Sequence, residues 1–142
     1  MKAYLDASAL TSLLLKDRHY ADLIRWIQNE SPILSLSDFT WGEFVAALGA
    51  NVRSGAFDAA RAAALLADRQ AYVGHLFETS MNSEDLANGT TLVERFELAL
   101  RLPDAIHIAI ARRIGSTLVT TDRQQLRAAE MLGISVIDPT RP

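Results

Sequence analysis

Short apolar runs alternate with helix-length stretches along this whole chain, and few folds accept that alternation. Ala3–Leu5, Pro32–Ser35, Thr117–Thr121 and Ile134–Ile137 are too short for helices and read as extended segments, as does His75–Met81. Between them the periodicity is helical. Ser8–Leu15 is rich in helix formers, and Arg18–Asn29 sets Tyr20, Leu23, Ile24 and Ile27 at spacings of three and four. Ser37 or Asp38 can cap a helix from Phe39 to about Arg53, ending near Gly55, and Asp58 to about Tyr72 is alanine-rich and helical. Ser83 and the acids after it open another helix, with Thr90–Ala99 as its body or its successor. Pro103 suits the first turn of a helix running to Arg113 and closed by Gly115, and Arg123–Leu132 is closed by Gly133. Strands joined through helices pair in parallel and need cover on both faces, so the chain is expected to be α/β with a parallel sheet between helical layers.

At 142 residues, positions 1–142 are expected to form one domain with a core of its own. The absence of cysteine excludes disulfides, thiol nucleophiles and every cysteine-based metal site. No apolar run is long enough to span a membrane, and the N-terminus lacks the unbroken apolar core of an export signal. A cytoplasmic location is therefore expected. A net charge of −3 and a pI near 5.5 argue against a broad basic surface that coats nucleic acid. They leave room for a nuclease that concentrates carboxylates in a cleft, and 12 Arg against 2 Lys offer forked donors for phosphate.

Asp6 and Asp122 each follow an extended run, so a parallel sheet would bring both to its carboxyl edge, where ligands bind. Aspartate after a strand is also an ordinary helix cap. Glu43 is harder to explain in that way. Its helix is apolar in nearly every direction, with Phe39, Trp41, Phe44, Val45 and Leu48 among its neighbours, and such a helix is expected to be buried. A carboxylate there needs a cation or several donors, and Arg53, the one basic residue of the helix, is too far along to supply it. Asp104 opens the nearly all-apolar DAIHIAIA, where it could simply favour the helix N-terminus. His107, one turn on, could share a metal with Asp104, although a packed, hydrogen-bonded histidine is the commoner case. If these acids converge, two like charges about 4 Å apart repel by about 4 kcal/mol at an effective dielectric near 20. Such a cluster takes up protons or binds a divalent cation, and an all-oxygen donor set suits Mg²⁺ or Mn²⁺ better than zinc.

YLDASALTSLLLK, SLSDFTWGEFVAAL, LRLPDAIHIAIA and TLVTTDRQQLRAAEMLGISVI, in that order, resemble the motifs of the PIN domain. The resemblance is most nearly to the VapC type, the toxin half of bacterial toxin–antitoxin pairs, and it covers almost the whole chain. It implies a PIN-like three-layer sandwich and a divalent-metal-dependent endoribonuclease. It also implies Asp6, Glu43, Asp104 and Asp122 as catalytic acids that bind Mg²⁺, with Mn²⁺ as a substitute. Ser8 matches a small hydroxyl position that lines such a site, and Thr120 or Thr121 could do the same. Arg123, Gln124 and Gln125 stand where some members carry a further acid.

The partners implied are RNA as substrate, a cognate antitoxin protein, and a second copy of the chain. Tyr20, Leu23, Trp26 and Ile27 in one helix, with Leu65, Leu66 and Tyr72 in another, are more apolar surface than a short sheet is expected to cover. A PIN-like RNA-processing nuclease outside any toxin–antitoxin pair, or a non-catalytic binding module, would share these motifs. Phosphatases that form an aspartyl-phosphate fit less well: Ala7 and Ser8 follow Asp6, and no lysine occurs after Lys16.

Overall fold

The computed structural model describes residues 1–142. Five parallel strands form one sheet: β1 (Lys2–Leu5), β2 (Ile33–Ser37), β3 (Phe77–Thr79), β4 (Thr117–Val119) and β5 (Val136–Ile137), in the order β3-β2-β1-β4-β5. From β1 the chain first builds outward through β2 and β3. It then crosses back to lay β4 on the other flank of β1, in the register Leu5↔Val119. The strand order thus reverses between β1 and β4, which opens a crevice at their carboxyl ends.

The helices fill the crossovers. α1 (Ala7–Leu15) and α2 (Tyr20–Glu30) join β1 to β2; α3 (Asp38–Arg53), α4 (Ala59–Ala67) and α5 (Arg69–Val73) lead on to β3. α6 (Ser83–Glu94), a 3₁₀ turn at Phe96–Leu98 and α7 (Leu102–Arg113) return the chain to β4, and α8 (Arg123–Met131) leads to β5. Gly115 and Gly133, at φ +64° and +66°, take the left-handed turns after α7 and α8 that feed β4 and β5, where a side chain would be strained.

The sheet separates two cores, as the alternation of strand side chains requires. Ala3, Leu5 and Val119 face one core with Leu10, Leu23, Phe44, Leu48 and Leu65. Tyr4 and Leu118 face the other with Ile106, Ile108, Ile110 and Ala128. Each fully buried leucine or isoleucine here is worth about 1.5–3 kcal/mol over leaving it exposed.

The architecture agrees with the expectation, and several local details do not. The alanine-rich stretch is two helices: Asp68, at φ −116° and ψ 37°, breaks it so that Val73 and Leu76 can reach the core. Helix propensity alone would have continued through that point, and packing overrides it. β4 stops at Val119; the Thr120 amide still donates to the Ile137 carbonyl of β5 at 3.0 Å, and the chain then leaves the sheet. α3 is buried along Thr40, Phe44 and Leu48 only, while Gly42, Ala46 and Ala50 face outward. Glycine and alanine offer too little apolar area to force burial, so its apolar wheel overstates how enclosed the helix is. Leu23 and Leu65, expected among the surplus surface, are core residues, whereas Leu66 and Tyr72 are exposed.

Candidate active site at the carboxyl edge of the sheet

Asp6 leaves β1 and caps α1. Its Oδ1 accepts from the Ala9 amide at 2.8 Å and the Ser8 hydroxyl at 2.7 Å, and its Oδ2 accepts from the Thr120 hydroxyl at 2.6 Å. The residue is buried, and burial pushes its carboxyl above the usual aspartate range, against the pull of His107 and of these hydrogen bonds.

Asp122 stands across the β1–β4 crevice and caps α8, its Oδ1 accepting from the amides of Gln124 at 2.8 Å and Gln125 at 2.9 Å. The Asp122 amide donates to Thr120 Oγ1 at 3.0 Å, and the Thr121 amide donates to Ser8 Oγ at 3.0 Å. Ser8 and Thr120 therefore lace the first turn of α1 and its cap Asp6 to the loop after β4. Sequence reading left Thr120 and Thr121 interchangeable; the structure turns the Thr120 hydroxyl to Asp6, while Thr121 lines a cleft with Ser8.

Asp104 lies in the first turn of α7, its side chain largely enclosed. Burial raises its carboxyl above the ordinary aspartate range and the negative charges of Asp122 and Asp6 raise it further, while Arg101, 3.5 Å away, pulls the other way. Gln125 ties the helices that carry two of these acids, donating from Nε2 to the Asp104 carbonyl at 3.0 Å.

Glu43 approaches from α3. It shares an open cleft of about 340 Å³ with Ser8, Thr11, Asp17 and Thr121. Its partner is His107 of α7, whose Nε2 hydrogen-bonds Glu43 Oε1, and not an arginine. The imidazole is itself held from behind: Tyr4 Oη lies 2.8 Å from His107 Nδ1 and 2.8 Å from Ser37 Oγ. Tyr4 has no exposure and burial drives its phenol upward, so it stays protonated at any physiological pH. Tyr4 escaped the sequence reading because an aromatic inside a strand reads as core; the one available signal was that a buried phenol needs a hydrogen-bond partner.

The edge thus brings Asp104 within electrostatic reach of both Asp122 and Asp6, and brings Glu43 to the adjoining cleft. As the side chains stand, no three acidic or histidine groups close around a single point. Each outer acid has turned to its own partner: Glu43 to His107, Asp104 to Arg101, and Asp122 to the start of α8. Their oxygen-only donor set, including one acid already loaded with hydrogen bonds, fits Mg²⁺ or Mn²⁺.

Residues 3–131 match the family model described as the PIN domain. The chain is 32% identical over 140 residues to ribonuclease VapC46 of Mycobacterium tuberculosis, covering 96% of this chain and 97% of that protein. Among solved structures, VapC20 of Mycobacterium tuberculosis, described as a sarcin–ricin loop cleaving toxin, superposes with a TM-score of 0.69 at 18% identity, covering 99% of this chain and 100% of the other. A toxin–antitoxin complex from Klebsiella pneumoniae contains a chain with a TM-score of 0.66 at 20% identity, covering 99% of this chain and 100% of that one. Fold, motif order and this relationship along nearly the full length agree: the chain belongs to the PIN domain family and is of the VapC type.

Proposed function

We propose that this chain is a divalent-metal-dependent endoribonuclease that acts in the cytoplasm as the toxin of a toxin–antitoxin pair, with Asp6, Glu43, Asp104 and Asp122 as its catalytic acids. The observation that carries the reading is the acid pair across the β1–β4 crevice, with Asp104 raised by burial and by its acidic neighbours. The similarity to ribonuclease VapC46 supports RNA as the substrate. The likeness to a chain of a toxin–antitoxin complex supports a protein partner.

Asp6, Asp104 and Asp122 would hold the ion. Mg²⁺ or Mn²⁺ bound there would supply a more acidic water and neutralise charge gathering on the phosphoryl oxygens. Ser8 and Thr120 keep the Asp6 carboxylate facing the crevice by donating to its two oxygens. Glu43, at the open cleft, either completes the ligand set or takes the proton of the attacking water. Attack in line with the leaving oxygen then breaks the phosphodiester without help from the 2′-hydroxyl, so preference for RNA rests on contacts outside the acids.

An antitoxin that sets Arg or Lys against these carboxylates would replace the cation's charge, and a second copy of the chain would complete the assembly. Purified antitoxin-free protein incubated with total RNA should cut at defined positions with Mg²⁺ or Mn²⁺ and not with EDTA. RNA left intact under all these conditions would refute the nuclease reading. Equal Mn²⁺ affinity with and without antitoxin would refute charge replacement, and a strict monomer at micromolar concentration would refute the dimer.

A further inference from the structure

We infer that His107, held by the buried hydroxyl of Tyr4, is a positioning residue that fixes the Glu43 carboxylate for metal binding and RNA cleavage. The inference rests on the nuclease reading above and goes beyond it, since the four-acid assignment gives no role to Tyr4 and none to His107 beyond a share in the metal. It stands on the geometry of one hydrogen-bonded chain across three elements. Tyr4 comes from β1, Glu43 from α3, which Ser37 caps from the end of β2, and His107 from α7.

The polarity of that chain can be worked out from its ends. A Glu43 carboxylate only accepts, so the His107 proton must sit on Nε2. The other ring nitrogen, Nδ1, faces Tyr4 Oη at 2.8 Å. The Thr40 hydroxyl is committed to the Leu5 carbonyl at 3.1 Å, and Ser37 Oγ already accepts from the Thr40 amide at 3.0 Å. Ser37 therefore has its proton free for Tyr4 Oη, 2.8 Å away. The link that reaches Glu43 is thus an imidazole N–H backed by buried hydroxyls.

Rigidity is graded along the same line. Tyr4 and Ser37 have no exposure, and His107 is 2% exposed between the rings of Tyr4 and Phe39, whose centroids lie 5.8 Å and 5.0 Å from its own. The Glu43 side chain is 28% exposed at the rim of an open cleft, on a helix face lined with Gly42 and Ala46 that cannot wedge it in place. A glutamate so placed would sample many rotamers, and only the imidazole ties it to the buried frame. Holding a ligand or base in one orientation before substrate arrives is how a supporting group acts on chemistry that it does not touch. α7 also carries Asp104 one turn before His107, so one helix sets the position of two of the four acids.

The pair His107→Gln and His107→Asn tests this, because the two amides differ by one methylene. Glutamine can place an N–H₂ near the Nε2 position and reach Glu43, whereas asparagine ends near Nδ1 and reaches only Tyr4. Mn²⁺ affinity by calorimetry and cleavage of a defined RNA at saturating Mn²⁺ are measured for both, alone and combined with Glu43→Gln. On the usual scale for groups that orient a metal ligand, His107→Asn should lose about tenfold or more in affinity or turnover, and His107→Gln should stay within about threefold. In the Glu43→Gln background His107→Asn should cost nothing further. Nitrogen-15 spectra of the metal-free native protein should place the proton on Nε2, a readout independent of activity. Equal losses from both amides, a loss undiminished in the Glu43→Gln background, no loss from His107→Asn, or a ring protonated only on Nδ1 would each overturn the inference. If Glu43→Gln alone changes neither affinity nor turnover, the assignment of Glu43 to the site fails instead.

Discussion

Thr120 and Asp6, 114 positions apart in sequence, share a hydrogen bond of 2.6 Å between the threonine hydroxyl and Oδ2 of the acid. The same Thr120 oxygen accepts the amide of Asp122, so one hydroxyl links the two acids that flank the crevice. Thr120→Val keeps the shape and removes both contacts, leaving a buried carboxylate oxygen and an amide short of partners. Loss of such a buried pairing costs about 1–3 kcal/mol, and Mn²⁺ affinity should fall with it. Thr120→Ser should restore both, measured by urea unfolding and calorimetry.

Asp6→Asn should abolish cleavage and leave the fold intact. The amide oxygen can still accept from Ala9 and Ser8, and the Thr120 hydroxyl can turn to accept from the new N–H₂. A buried negative charge disappears, so the metal-free variant should unfold at the same or a higher temperature than the native chain. Full activity at unchanged metal demand would remove Asp6 from the ligand set.

The raised carboxyls of Asp6 and Asp104 make a signed prediction about pH. A group that binds its proton more tightly when folded contributes stability below its unfolded pKa. That contribution is lost as pH rises through the folded pKa. The metal-free native protein should therefore lose stability relative to Asp6→Asn between about pH 4 and neutrality. Paired unfolding curves across that range check it; a gap independent of pH contradicts it. Mg²⁺ at about 100 times its Kd should add back roughly 2.7 kcal/mol to the native chain.

Arg113 grips Asp85 with two hydrogen bonds of 2.8 Å each and donates to the Ser80 carbonyl at 2.9 Å, clamping the start of α6 to the end of α7. The guanidinium holds the Asp85 carboxyl below the usual aspartate range, against the opposing effect of burial. Arg113→Met would strand that buried charge and should cost about 3 kcal/mol. Because Asp85 has a lowered pKa, the clamp's contribution is full at neutral pH and fades only as pH falls through that depressed value. Chemical denaturation at neutral and acid pH separates the two regimes.

What could be read from sequence was whatever is decided locally. Asp6 and Asp122 announce themselves because a strand, an acid and a helix start are contiguous, and the capping role expected of each is present alongside its place at the crevice. Asp104 was visible as an acid opening an apolar helix. Glu43 was singled out by its wheel, yet the wheel misjudged its setting, since it weighed alanine and glycine as if they were leucine. The relation between Glu43 and His107 spans 64 positions, and no periodicity reports a contact set by how α3 and α7 pack across the sheet edge. The break at Asp68 was hidden for a similar reason: it serves the burial of Val73 and Leu76, a tertiary demand on a segment with uniform helical preference.

The placement of β4 beside β1, and not beside β3, bears on when the crevice can form during synthesis. Asp6 is synthesised well before its counterpart Asp122 and the Thr120 hydroxyl that joins them, which enter only as β4 is completed. Translation proceeds at about 5–20 residues per second, and while the 114 positions from Asp6 to Thr120 are added the growing polypeptide carries half a crevice. An order that interleaves early and late segments delays assembly of the crevice until β4 has joined β1.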